Sequence, residues 1–187
     1  MRKTFAALTL LLASTGSAAA ADDMAKLKAD GAELIKTYAG TLQKALQSAV
    51  QAGGPVKAIE VCSVTSPEVA ATLSKNGWSI SRTSHRVRNP TSLPDAYEQA
   101  ALVDFLVRLD GGEKPETLVK AGIVTENGQK MFRMVKAIPV NDVCLTCHGT
   151  DLKPPVQDAL GKLYPSDIAT GFKAGDIRGI FTVKKAL

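Results

Sequence analysis

Leu27, Gly31, Leu34, Ile35, Tyr38, Leu42, Ala45, Leu46 and Ala49 recur at spacings of three and four residues, while Lys28, Lys36, Lys44 and Gln51 fall elsewhere. That period predicts a long amphipathic helix over about residues 23–52, stopped by Gly53-Gly54-Pro55. No strict heptad persists over enough turns for a coiled coil, so the stripe is expected to pack on a core rather than on a second copy. Pro55 opens a short second helix carrying Ile59 and Cys62. Thr65 and Glu68 have capping-box spacing and Pro67 suits a first turn, so a third helix is expected to run to Asn76-Gly77. Residues 78–83 alternate apolar and polar side chains, which predicts a strand. A basic, Asn-Pro-containing loop follows over residues 85–93. Ser92 and Asp95 have capping spacing before a helix over residues 96–109, with Ala101, Leu102, Phe105, Leu106 and Leu109 inward and Gly111-Gly112 as its stop. Residues 117–124 and 130–140 read as two strands around Glu126-Asn127-Gly128, and Asn-Gly is a strong hairpin signal. Lys153-Pro154-Pro155 reads as a loop and residues 164–171 as holding a short helix. Gly175-Asp176 is a tight turn before a last strand over residues 177–184, with Ile180 and Val183 buried. Helices first, then a hairpin and a late strand, predict an α+β fold with an antiparallel sheet.

The first 21 of the 187 residues stand outside that pattern. Arg2 and Lys3 precede an apolar run from Phe5 to Ala13, too short to span a bilayer. Ala19-x-Ala21 supplies small residues for cleavage after Ala21. This is the form of a secretory signal peptide, so the expected mature protein is residues 22–187, one domain in the periplasm with no stable membrane insertion. Its removal lowers the formal charge from +5 to +3. With no run of basic residues, the chain offers no nucleic-acid footprint. Nor is there an internal repeat or a low-complexity linker.

Three cysteines are an odd number for an exported chain. Two of them belong to Cys144-Leu145-Thr146-Cys147-His148, a C-x-x-C-H sequence and the attachment signature of a c-type haem. Two thiols add across two porphyrin vinyl groups. The two intervening residues make about one helical turn, which brings both sulfurs to one edge of the ring and carries His148 under the iron as proximal ligand. The rival readings fit poorly. Structural zinc normally uses paired knuckles, and there is no second C-x-x-C. A thioredoxin-like dithiol belongs to a βαβ context that this chain does not present. The sixth ligand stays open on residue chemistry: Cys62, His85, Met131, Met134 or an open position. Cys62, Met131 and Met134 also read as core residues, and His85 as an exposed loop residue. Arg82, Arg86 and Arg88 form a basic cluster. Guanidinium groups pair with carboxylates, so haem propionates are natural partners, with a solvated loop as the plainer reading. Asp176 and Arg178 are expected to brace the last turn against each other.

An ordered series of motifs runs through the mature chain: Ala58-Ile59-Glu60-Val61-Cys62-Ser63, Ser81-Arg82-Thr83-Ser84, Val87-Arg88-Asn89-Pro90, the haem motif to Gly149, Tyr164-Pro165-Ser166-Asp167-Ile168-Ala169-Thr170-Gly171, and Gly175-Asp176-Ile177-Arg178-Gly179. Across residues 30–185 it resembles a family of exported single-haem c-type proteins with a PAS-like domain. The resemblance implies a PAS-like antiparallel sheet flanked by helices, one covalently attached haem c, and axial ligation by His148 and Cys62, which accounts for the third thiol. It carries no ligand role onto His85. Members occur alone or as sensor modules of chemotaxis receptors and kinases; this chain is expected to act as a lone domain, monomer or homodimer.

Two functions follow as expectations. One is electron transfer or redox sensing through a six-coordinate iron, with a redox or signalling protein as partner. The other is gas sensing, in which reduction frees the Cys62 position for a small ligand. A haem enzyme such as a peroxidase is third, because only His85 would remain for distal acid–base work.

Overall fold

The long apolar stripe folds back on itself. In the computed structural model, which describes residues 16–187, helix α1 runs from Gly16 to Leu73 and is interrupted only at Gly53 and Gly54. Tyr38 and Ser66, 28 residues apart, meet through their hydroxyl groups at 3.2 Å. A straight helix would hold them about 42 Å apart. The interruption is therefore a reversal, and α1 is an antiparallel helical hairpin with arms 16–52 and 55–73. Gly54 (φ 72°, ψ −168°) adopts a backbone conformation essentially restricted to glycine.

The predicted stop at Gly53-Gly54 is thus present, whereas the predicted break before Pro67 is absent. Pro67 lies inside the second arm, where no capping box forms at Thr65. Packing of Val69, Ala70 and Leu73 against Ile35 and Tyr38 holds the arm helical past the proline. The predicted stripe is the face that packs: Gly31, Ile35, Tyr38 and Ala49 are buried, and Leu27, Leu34, Leu42, Ala45 and Leu46 half-buried.

Four strands follow: β1 (Trp78–Thr83), β2 (Val119–Glu126), β3 (Gln129–Pro139) and β4 (Ile177–Ala186). They form one antiparallel sheet in the order β1-β4-β3-β2. β2 and β3 are joined through Asn127 and Gly128, both with positive φ, as a two-residue hairpin turn requires. One sheet face, with Ile80, Phe132, Met134 and Val183, packs on the α1 hairpin. The other carries Leu118, Val135, Ala137, Ile177 and Ile180 against Ala101, Leu102 and Phe105 of α2 (Ala96–Asp110). The cap of α2 is Asp95, in a reciprocal box with Glu98, rather than Ser92. The fold is α+β, as the element order predicts.

Two short helices, α3 (Asp142–His148) and α4 (Pro154–Leu163), occupy the connection between β3 and β4. Here the prediction is shifted. Pro154 and Pro155 sit in the first turn of α4, a position that does not need their missing N–H groups, while residues 164–171 are irregular. The expected leader peptide lies mostly in residues 1–15, outside the described residues. Among the described residues no helix is long and apolar enough to cross a membrane.

Candidate functional site

Asp142 lies in the first turn of α3, and the helix is just long enough to carry Cys144, Cys147 and His148 on successive turns. Both thiols are free and half-buried. Cys147 packs beside Ile59, Val156, Leu160 and Tyr164; Cys144 and Leu145 pack on Val140, Ala169 and Phe172. The backbone after α3 then pairs with the segment leading to β4: Gly171 N–H donates to Gly149 O and Phe172 N–H to His148 O, both at 2.9 Å. This pairing sets the imidazole.

His148 Nδ1 lies 2.6 Å from the carbonyl oxygen of Ala169. A carbonyl only accepts, so Nδ1 carries the proton and Nε2 presents a lone pair, the arrangement that orients metal-bound imidazoles. Burial pushes the His148 pKa down to about 2, and the Arg178 and Arg88 charges add to it, so the ring is neutral at any physiological pH. Phe172 meets His148 edge-on at 6.2 Å and His85 edge-on at 5.9 Å. His85 itself is exposed.

Cys62 sits in the second arm of α1, three residues after buried Ile59. Burial pushes its thiol up, and the charges of Arg82 and Arg88 pull it back. The same two arginines act on His148, and Cys62 and Cys144 are both close enough to Cys147 to raise its pKa. Residues far apart in the chain thus line one site. Met131 and Met134 lie elsewhere. Met134 pairs with Val183 and Met131 with Ala186, five and eight residues beyond Arg178 on β4. That is about 16 and 26 Å along a strand.

The arginines divide by partner. Arg88 Nε donates to Asp167 Oδ2 at 2.9 Å and Nη2 to Cys147 O at 2.5 Å. Arg86 Nη1 donates to Thr170 O, with its guanidinium 3.6 Å from the Phe172 ring centroid. Arg82 is exposed on β1. Asp176 does not brace Arg178; its carboxylate accepts from the Lys173 N–H at 2.7 Å. Arg178 instead reaches the site, with Nε 3.4 Å from His148 Nε2.

The rival chemistries find no support in this geometry. Among the described residues no three His, Cys, Asp or Glu side chains converge as a metal cage. The sheet is wholly antiparallel, so the dithiol does not stand in a thioredoxin-like βαβ unit. The residues present fit a haem: two free thiols one helical turn apart, a neutral imidazole with its lone pair free of a proton, a third thiol across the site, and a surplus of guanidinium for ring carboxylates.

The Tll0287-like family profile matches residues 16–185. This chain belongs to that family. Among solved structures it is similar to the cyanobacterial heme-protein Tll0287, at 25% identity and a TM-score of 0.54 over 84% of this chain and 95% of the other. No curated protein matches. As a Tll0287-like chain it shares its fold with a haem protein, and its third cysteine lies near enough to its C-x-x-C-H helix to act on Cys147.

Sequence reasoning passed over two residues of this site, Asp167 and Phe172, and gave a third, Arg178, a different role. Asp167 accepts from Arg88 and, through Oδ1, from the Ala169 N–H at 2.7 Å. Phe172 packs on His148, and Arg178 approaches Nε2. All three lie within motifs of the resemblance or immediately beside one, but their pairing spans up to 79 residues of chain and has no periodic signal.

Proposed function

We propose that this protein carries one haem c, covalently held by Cys144 and Cys147, and works as a periplasmic redox protein, in electron transfer or redox sensing. The observation that carries the reading is the His148 imidazole: neutral, locked by Ala169 O, with Nε2 free of a proton and two free thiols on the same short helix. When bound, the haem supplies a one-electron Fe(III)/Fe(II) couple. His148 holds its proton on Nδ1 and offers Nε2 as proximal ligand. Cys62 would be the second protein ligand to the iron; burial pushes its thiol up, and the charges of Arg82 and Arg88 offset part of that. Ile59, Val156 and Leu160 exclude water from the attachment side. The strand order, with the last strand beside the first, supports the PAS-like reading, and the match to a haem protein supports the cofactor.

The test is the optical spectrum of the purified protein, oxidised and reduced, with a denatured haemochrome to identify thioether attachment. A protein without covalent haem would end the reading. Cys62→Ser should retain the haem, change the ferric spectrum and raise the midpoint potential, because a thiolate stabilises the ferric state. An unchanged spectrum and potential would remove Cys62 as a ligand. Carbon monoxide separates redox work from gas sensing: binding to the reduced wild-type protein would favour the sensor, and no spectral shift at saturating gas the redox role.

A further inference from the structure

Strict alternation along β4 would put Ile177 and Ile180 on opposite sheet faces, yet both lie in the same apolar cluster under α2. The register explains it. Ile138 pairs with Gly179 and Pro139 with Ile177, so Arg178 is an extra residue with no partner on β3. It is a β-bulge, the device that re-aims a side chain and ends pairing beside functional sites. The bulge is fastened on both sides. Ser84 Oγ donates to Arg178 O at 2.7 Å and accepts from the Arg86 N–H at 3.0 Å. A Cβ on Gly179 would come within 2.2 Å of Thr83 O, so only glycine permits β4 to approach β1 there.

The bulge turns Arg178 toward His148, where, among the described residues, no carboxylate pairs with the guanidinium. Its acceptors are Arg86 O, from Nη1 at 3.1 Å, and the His148 Nε2 lone pair at the outer limit of hydrogen bonding. Iron held at Nε2 would displace Arg178 from that lone pair, leaving it one neutral carbonyl and the Phe172 ring face. Asp167, the nearest countercharge, is engaged by Arg88. Arg82, Arg86 and Arg88 crowd the same region. Arg178 is half-buried, and a partly desolvated charge among like charges is stabilised when an anion completes it. Arg86 and Arg88 have protein partners and Arg82 has water.

We propose that Arg178, set in the site by the β4 bulge, is the receptor for a carboxylate of the bound ring, a propionate in haem. Arg82 and Arg88 contribute field rather than that bond. The assignment rests on the haem reading above. Its role is positioning: a planar fork that takes both carboxylate oxygens and fixes the ring's rotation over His148.

The test uses full-length holoprotein as wild type, Arg178→Gln, Arg178→Lys and the exposed-charge control Lys173→Gln. Its readouts are haem attachment by mass, the propionate bending band in resonance Raman, and the midpoint potential. Arg178→Gln should keep the attached haem, shift the propionate band and leave a carboxylate uncompensated near the iron. At fixed ambient potential its Fe(II)/Fe(III) ratio should fall about tenfold, which is ~59 mV for one electron. Arg178→Lys should restore most of the potential but not the band, and Lys173→Gln should change neither. A wild-type band and potential in Arg178→Gln would overturn the assignment. If that variant fails to fold, as judged by circular dichroism, Arg178→Lys decides, and an unchanged band there overturns it. Wild-type protein without haem would instead mean that the haem reading itself has failed.

Discussion

His148 is set by a chain of small constraints. Asp167 Oδ1 holds the Ala169 N–H, the Ala169 carbonyl holds Nδ1, and the other oxygen of Asp167 holds Arg88, which in turn holds Cys147 O. One carboxylate thus ties the imidazole to the backbone of α3. The Arg88–Asp167 pair is largely withdrawn from solvent, so removing one partner leaves the other charge stranded. Asp167→Ala should lower unfolding stability by about 3 kcal/mol, measured by urea denaturation. A double variant with Arg88→Met should cost less than the two single changes added, since both remove one interaction. Gly179→Ala belongs to the same scale. Its methyl group would drive the β1 backbone away, and the expected cost is about 3 kcal/mol; a stability within 0.5 kcal/mol of wild type, of the order seen for neutral surface changes, would mean that the strands separate freely there.

Among the elements, the α1 hairpin depends on its reversal. Its second arm carries Cys62, so the direction taken at Gly54 decides where that thiol arrives. Gly54→Ala forces a side chain into a glycine-only conformation and should cost about 1–3 kcal/mol. Gly40 is the contrast: it lies in the first arm with nothing within 4 Å of a built Cβ, and alanine there should stabilise by up to about 1 kcal/mol. Thermal denaturation of the two variants checks both signs. The β4 bulge acts at this scale too, since it alone separates the apolar register of the strand from the direction of Arg178.

Across the whole molecule, a charge network joins α2 to three strands. Arg133, 1% exposed, donates to Asp95 and Glu98 and pairs with Glu126; Lys184 also donates to Asp95, and Thr182 to Glu98. Burial raises the Asp95 pKa, but hydrogen bonds from Lys184, the Glu98 backbone and Arg133 outweigh it and bring the carboxyl down to about 2. A folded-state value below the unfolded one means that the unfolded chain binds the proton first. The contribution is whole above about pH 4 and is lost as the pH falls toward 2. Acid unfolding of wild type should show that loss, and Asp95→Asn should flatten the profile in the same window. An unaltered acid limb would detach Asp95 from the network's stability.

Much of this protein was legible in the chain because local rules govern it. Period-3.6 positions marked the packed face of α1, Asn127-Gly128 marked the β2–β3 hairpin, and C-x-x-C-H marked α3, each set by residues within a few positions of one another. Tertiary packing overrode a local rule at Pro67, inside a helix; at Pro154-Pro155 and at Asp95 a second local rule, first-turn proline and the capping box, won over the one first applied. By itself the sequence determined the α+β class, the helix that carries Cys144, Cys147 and His148, and the presence of a spare thiol. Only the tertiary structure decided that the α1 arms fold back to bring Cys62 toward that helix, that Ala169 fixes the His148 tautomer, and that a one-residue bulge turns Arg178 into the site. These depend on contacts across tens of residues, where chain spacing carries no geometric information and backbone pairing does.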